Sequence, residues 1–317
     1  MSCKKTSIGG QALIEGIMMR GPKRTVMAVR KKDGSIDISE RSISSFKDKY
    51  PVLKLPIIRG VAGFVESMTV GYKAMMDSAE ISGYLDEEEL QAEKEKAEKK
   101  NNSALMAAIT IVATVLAVIL SIGLFIYLPS LAFKGINYLV GGVLSPLQSL
   151  FEGILKIAIF LGYMYAVSLM KDIDRVFRYH GAEHKTIFCY EAGEELTVEN
   201  VKKQGRFHPR CGTSFMILML IVSIFVTFVL DAIVPWLKGI LWLRTIIKLL
   251  LVPIICGIGY ELIKVCGKYD NPVTKVIAAP GLWIQRLTVK EPDDSMIEIA
   301  IAAMKEVIPE NEEEAKW

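Results

Sequence analysis

The sequence predicts an α-helical polytopic membrane protein, with about four transmembrane helices and a small cytosolic α+β N-terminal part. Three observations lead there. The chain has 317 residues and is 51% hydrophobic, too apolar for an ordinary soluble enzyme. Its apolar residues concentrate between positions 104 and 265, while both ends have ordinary soluble composition. All three histidines fall between His180 and His208, in a polar window flanked by the apolar runs. The organisation expected is a cytosolic N-terminal region over 1–103, a transmembrane domain over 104–265 that contains a cytosolic His/Cys loop at 171–213, and a cytosolic C-terminal segment over 266–317. A net charge of +3 is small, and no nucleic-acid partner is expected. Five cysteines without regular spacing do not make a disulfide framework.

In chain order, Met1 to Thr6 leads into Gly9-Gly10-Gln11 rather than an apolar core, so no cleavable signal peptide is expected. The glycine-punctuated stretches Gly9 to Gly16 and Arg20-Gly21-Pro22 read as tight loops. Thr25 to Arg30 and Ser35 to Ser39 are β-prone runs joined by Lys32-Asp33-Gly34, a hairpin signal. Such a hairpin needs a further surface to lean on. Over 57–81, Ile58, Val61, Val65, Met68, Tyr72, Met75 and Ala79 recur at helical spacing. Arg59, Glu66, Lys73 and Asp77 make this an interfacial amphipathic helix or a packed helix of the cytosolic part rather than a span. The Glu/Lys-rich segment 86–102 reads as a solvated helix or linker.

Four runs are long and apolar enough to cross a bilayer, at 104–128, 151–170, 214–236 and 241–265. The segment 129–148 is broken by glycines and prolines and reads as an outer loop or re-entrant piece. Lys171, Arg175, Arg178, Lys185, Lys202, Lys203, Arg206 and Arg210 all lie between the second and third runs. This distribution of positive charge puts that loop and both termini in the cytosol, as expected of a multi-pass protein of the inner (cytoplasmic) membrane. These arginines are expected to meet anionic lipid headgroups or to fix topology. After the fourth run, 268–292 reads as a polar, proline-containing segment, and Asp293-Asp294-Ser295 opens an amphipathic helix through Ile297, Ile301, Met304 and Ile308.

The chemistry centres on the histidine window. Ile173, Phe177, His180, His184, Ile187 and Glu191 recur every three or four residues, so the helix of the second run is expected to continue and carry both histidines on one face. A His pair at i and i+4 points both rings at one spot, the spacing that lets a helix hold one metal with two ligands. With Glu183 the order is H-x-x-E-H, the inverted zincin arrangement in which two histidines hold zinc and the glutamate polarises a water. His208 and Cys211 form a second, turn-type ligand pair before the third run. Zinc, or another divalent transition metal, is the cofactor these ligand types suit. The competing reading makes the histidines caps or headgroup contacts. If all four residues bind, the shell is full and the site structural; if three bind, a water position opens beside Glu183. Glu261 is a further candidate ligand or acid, or a partner of Lys264 or a loop arginine. Cys189 reads as a packing residue. No glycine-rich nucleotide loop follows a strand, so no nucleotide cofactor is expected.

Gly10-Gln11-Ala12-Leu13-Ile14-Glu15-Gly16, Met18-Met19-Arg20-Gly21-Pro22, His180-Gly181-Ala182-Glu183-His184-Lys185 and His208-Pro209-Arg210-Cys211-Gly212-Thr213-Ser214-Phe215 together resemble the YqhQ family of bacterial membrane proteins. Pro280-Gly281-Leu282 and Glu291-Pro292 fit as well. Members are commonly labelled predicted metal-dependent enzymes, and the resemblance implies a metal without supplying a reaction or substrate. Two functions follow as expectations. One is a cytosol-facing membrane metalloenzyme, most simply a hydrolase, in which His180, His184 and His208 bind zinc and Glu183 activates water as the catalytic base. The other is a non-enzymatic scaffold whose zinc, held also by Cys211, staples the loop to the spans. Metal transport would require polar residues deep in several spans, and the first and third mostly lack them.

Overall fold

The computed structural model describes residues 6–41, 50–84, 103–269 and 271–311. The N-terminal part is a four-stranded antiparallel meander in the order β1 (Gly9–Leu13), β2 (Gly16–Arg20), β3 (Thr25–Arg30) and β4 (Ile36–Glu40). The hairpin expected from Lys32-Asp33-Gly34 is present, with Gly34 at a positive φ of 85°, which only glycine adopts without a steric cost. The stretch Gly9 to Gly16, expected as a loop, instead holds β1 and the start of β2, whereas Gly21-Pro22 does form the turn between β2 and β3. Glycine is disfavoured in strands, but close contacts demand it here. A Cβ on Gly16 would meet the Ala28 carbonyl oxygen at 2.5 Å.

Both faces of the sheet are covered. Ile17, Met19, Val26 and Ala28 join one apolar core with Tyr179, Ala182, Ile187 and the C-terminal helix. Leu13, Met18, Met27 and Val29 join another with Ala74. Burial on both faces explains why β2 and β3 read as continuous apolar runs rather than alternating ones. Helix α1 (Ile58–Ile81) covers the second face and binds the apolar helices at its other end. Gly60 lies against Tyr260 and Gly257, and the Arg59 guanidinium pairs with the Glu261 carboxylate. Glu261 is therefore engaged by α1 rather than offered to the histidines, by an arginine distant in sequence rather than by Lys264 or a loop arginine.

Among the described residues, four helices are long and apolar enough to cross a membrane, over Ile111–Leu139, Ser145–Ser168, Gly212–Ile233 and Leu241–Lys268. The first comprises α2 (Ser103–Ile122), a π-helical turn at Gly123–Tyr127 and α3 (Leu128–Leu139). This corrects the expected break at 129. Pro129 lies just after the π-helical turn inside this span, and the reversal falls at Gly141 and Gly142, both with positive φ. The others are α4 (Gln148–Ser168), α7 (Gly212–Ile233) and α8 (Leu241–Lys268). Glu152, Asp231, Arg244 and Lys248 on them pair with one another. The buried Arg244 guanidinium binds the Asp231 carboxylate at 2.7 and 3.2 Å and also Glu152, which accepts from Lys248 at 2.7 Å. Pairing is the condition for placing charges among apolar helices.

The helix that carries the histidines is not a continuation of α4. Met170 turns extended, at φ −72° and ψ 131°, and α5 (Lys171–Glu191) starts afresh. Asp172 and Asp174 in its first turn complement the helix dipole. The short α6 (Val198–Lys203) follows. The polar segment expected after the fourth run is largely a helix, α9 (Pro272–Thr288), opened by an Asn271 capping box. Proline at position 280 interrupts the sequence pattern without ending it. The C-terminal amphipathic helix appears as expected, as α10 (Asp294–Val307), with the Asp293 carboxylate accepting from the Met296 N–H at 3.0 Å. The charged linker expected over 86–102 lies outside the described residues.

A candidate metal centre between α5, α7 and α9

Three walls meet at the histidine window: α5, the turn 206–211 that enters α7, and the C-terminal end of α9. On α5, His180 and His184 meet edge to face with ring centroids 4.5 Å apart, as their i and i+4 spacing allows. Each ring is fixed by its far nitrogen. His180 Nδ1 donates to the Thr288 carbonyl at 3.0 Å, and His184 Nδ1 donates to the Arg206 carbonyl at 2.6 Å. A backbone carbonyl on one imidazole nitrogen fixes the ring and turns the other nitrogen toward the site, the usual support of a histidine that binds a metal once that nitrogen has given up its proton. His180 Nε2 faces Cys211 Sγ at 3.2 Å.

Donor atoms of His180, His184 and Cys211 all lie within 4.8 Å of one another. Tetrahedral zinc would space such donors roughly 3.3–3.8 Å apart, so a small inward movement of side chains closes the set around an ion. Cys211 also caps α7, its sulfur accepting from the Thr213 N–H at 3.4 Å. Burial raises a thiol's pKa, but here the charges of His180 and His184 outweigh it and hold the Cys211 thiol well below its ordinary value. Burial likewise acts against a charged His180, yet the facing Cys211 sulfur raises that imidazole to about 9. The pocket therefore favours a thiolate, the form of cysteine that binds metals.

Glu183 lies beside this group. It is 5% exposed, and its Oε2 has no hydrogen-bond partner among the described residues. Burial raises its carboxyl above the usual range, against the opposing pull of His180 and His184. A buried carboxylate oxygen without a partner is costly, and a cation in the adjoining cluster would offset that cost. The carboxylate is roofed by β1. A Cβ on Gly10 would strike Glu183 Cγ at 2.8 Å and Cδ at 2.9 Å, so glycine there lets the strand close over the site. The donor set and the orphaned oxygen both fit a bound transition metal.

His208 is not part of the three-residue group. Its Nδ1 accepts from the Arg210 N–H at 3.3 Å, and its Nε2 faces Glu191 Oε2 at 3.8 Å. Glu191 also takes the Arg210 guanidinium and the Thr6 N–H. Burial and this acidic neighbour act in opposite senses on His208, and burial prevails, lowering its pKa. The H-x-x-C turn thus delivers its cysteine to the site and turns its histidine to the Glu191 side.

A family model described as protein of unknown function (DUF1385) matches residues 55–310. The chain belongs to this family. A curated relative, the uncharacterized protein YqhQ of Bacillus subtilis (strain 168), is 38% identical over 301 residues, covering 95% of this chain and 92% of the relative. No solved structure matches the chain. The family segment contains α5, the 206–211 turn and α9, hence every residue of the three-donor group, while the sheet that roofs it precedes that segment.

No sequence pattern points to Gln285. Fully buried, it accepts from the His208 N–H at 2.8 Å, donates to the His208 carbonyl at 2.6 Å and to Ser214 Oγ at 2.8 Å. It pins the turn that carries Cys211 to α9. Nor are the loop cations free for headgroups as a set. Lys185 and Arg206 pair with Glu291, Arg175 with Glu15, Arg178 with Asp174 and Arg210 with Glu191. Cys189 is a buried thiol pushed up to about 11 by burial, in keeping with a packing role.

Proposed function

We propose that this chain is an integral protein of the cytoplasmic membrane, with both termini and its histidine window on the cytosolic side, and that it acts as a metal-dependent hydrolase. His180, His184 and Cys211 hold the ion, zinc by ligand type, and Glu183 is the general base. One observation carries the reading: three donors converge beside a buried carboxylate oxygen that has no partner among the described residues. Three protein ligands leave one position of a tetrahedral shell open, the arrangement of catalytic rather than structural zinc. A bound zinc would supply Lewis acidity and acidify a water at that position. The protein's own part is to aim the two Nε2 atoms through the Thr288 and Arg206 carbonyls, to stabilise the thiolate, and to hold Glu183 Oε2 where it can accept a proton from water. Strand β1 and Gly10 limit solvent access from one side.

The scaffold alternative needs a fourth protein ligand. His208, the residue the spacing offers for it, is engaged with Arg210 and Glu191. The test is Glu183→Gln introduced into a strain in which the gene has been deleted. The hydrolase reading requires full metal content with loss of complementation. Complementation equal to wild type would reject Glu183 as the base and return the site to a structural role.

A further inference from the structure

The cations at the start of α5 enclose a cavity separate from the metal centre. It measures about 560 Å³ and is lined by Ser168, Lys171, Asp174, Arg175, Arg178 and Lys290, among others. Lys171, Asp174, Arg175 and Arg178 fall at i, i+3, i+4 and i+7, which places them on one face of α5. His180 and His184 lie on the opposite face by the same periodicity. The cavity opens where the apolar helix α4 ends, beside Leu169 and Met170, which are 67% and 55% exposed. It thus sits at the level where a span would leave the hydrocarbon and meet headgroups.

Its charge is unbalanced toward the positive. Four cations line it against two carboxylates, Asp174 and Asp293. Asp174 is shared by two of them, accepting from Arg178 Nε at 2.8 Å and Lys290 Nζ at 2.6 Å. Asp293 is occupied as the cap of α10, accepting from Ser295 Oγ at 2.6 Å and the Met296 N–H at 3.0 Å. Arg175 is matched by Glu15 from the sheet. Lys171 is exposed and has no ion pair among the described residues. The first N–H groups of α5, which have no acceptor within their own helix, lie at the same end. Guanidinium and ammonium groups converging on one recess beside a helix N-terminus form a phosphate-binding arrangement.

We infer that this cavity binds a phosphate monoanion or diester, most naturally the headgroup of an anionic phospholipid in the adjoining leaflet. Lys171 and Arg178 contact the phosphate, while Lys290 is held in place by Asp174 and the Ser168 carbonyl. The site stands independently of the metal centre.

Detergent-purified full-length protein, incubated in turn with phosphatidylglycerol, phosphatidylcholine and inorganic phosphate, tests this by native mass spectrometry. The wild type should retain one phosphatidylglycerol in preference to phosphatidylcholine. Lys171→Gln with Arg178→Gln should weaken that retention about tenfold while leaving metal content unchanged. Displacement of the lipid by millimolar inorganic phosphate would assign the site to the phosphate group itself, and resistance to displacement would assign it to the whole lipid. Should the double variant fail to fold, Lys171→Gln alone, which breaks no ion pair among the described residues, reads the same loss. Phosphatidylglycerol retained to the wild-type extent by the folded variant would overturn the inference.

Discussion

Replacing Gly181 by alanine probes how tightly the packing around the histidine-bearing helix α5 is built. On an open helix surface this change adds up to about 1 kcal/mol, because glycine is the poorer helix former. Here a Cβ would lie 1.9 Å from the Lys290 carbonyl oxygen, 3.1 Å from its carbon and 3.3 Å from Pro292 Cδ. Two of those atoms are backbone and cannot rotate away. The segment after α9 must move outward by more than 1 Å, although the Lys290 N–H is bonded to the Phe177 carbonyl at 2.9 Å and the nearby Thr288 carbonyl holds His180. Overpacking of this kind costs about 1–3 kcal/mol, and the strained hydrogen bonds add about 1 kcal/mol. The net expectation is a loss of about 1–3 kcal/mol together with weaker metal binding, since His180 loses its orienting carbonyl. Thermal unfolding in detergent followed by tryptophan fluorescence, alongside metal content, measures both. Gly162→Ala is the control, because a Cβ there meets nothing within 4 Å, and it should leave the melting temperature unchanged or raise it. A Gly181→Ala protein as stable as wild type would refute the close approach of the 289–292 segment to α5.

Two further outcomes follow from the same region. Gln285→Leu strands the buried His208 N–H and carbonyl, at about 1–3 kcal/mol for each unsatisfied group, so it should lower the melting temperature and loosen Cys211. A melting temperature and metal content like those of the wild type would count against the pinning role. Glu191, opposed by burial but favoured by His208 and Arg210, has its carboxyl below the ordinary value. A depressed folded-state pKa contributes stability above the unfolded value near 4.5, and that contribution is lost as pH falls below it. The wild type should therefore lose stability more steeply than Glu191→Gln as pH falls from 4.5 toward the depressed carboxyl value, and equal slopes there would contradict the assignment.

Much of this architecture was legible in the residues. The four apolar runs, the β3–β4 hairpin, helix α1 and the capped α10 follow from periodicity and turn chemistry, and the i, i+4 pair at His180 and His184 follows from helix geometry. What misled was local propensity where tertiary contact prevails. Gly10 and Gly16 argue against strands, yet they are in strands because Glu183 and Ala28 press against them. Pro280 argues against a helix, yet it lies inside α9. Met170 carries no breaker signal and nonetheless ends the continuous helix that the apolar spacing implies. At the site, spacing alone made His208 and Cys211 equal partners. What separates them is Glu191, which shares a face of α5 with the histidines, and Gln285, more than seventy residues away. No local pattern announces either contact.

The most direct test of the metal centre is metal analysis of the purified wild-type protein beside His184→Ala, Cys211→Ala and His208→Ala. The account predicts about one transition-metal ion per chain in the wild type and in His208→Ala, and a loss of tenfold or more in affinity in the other two variants. A metal-free wild type, or metal that persists without Cys211 and departs without His208, would contradict it.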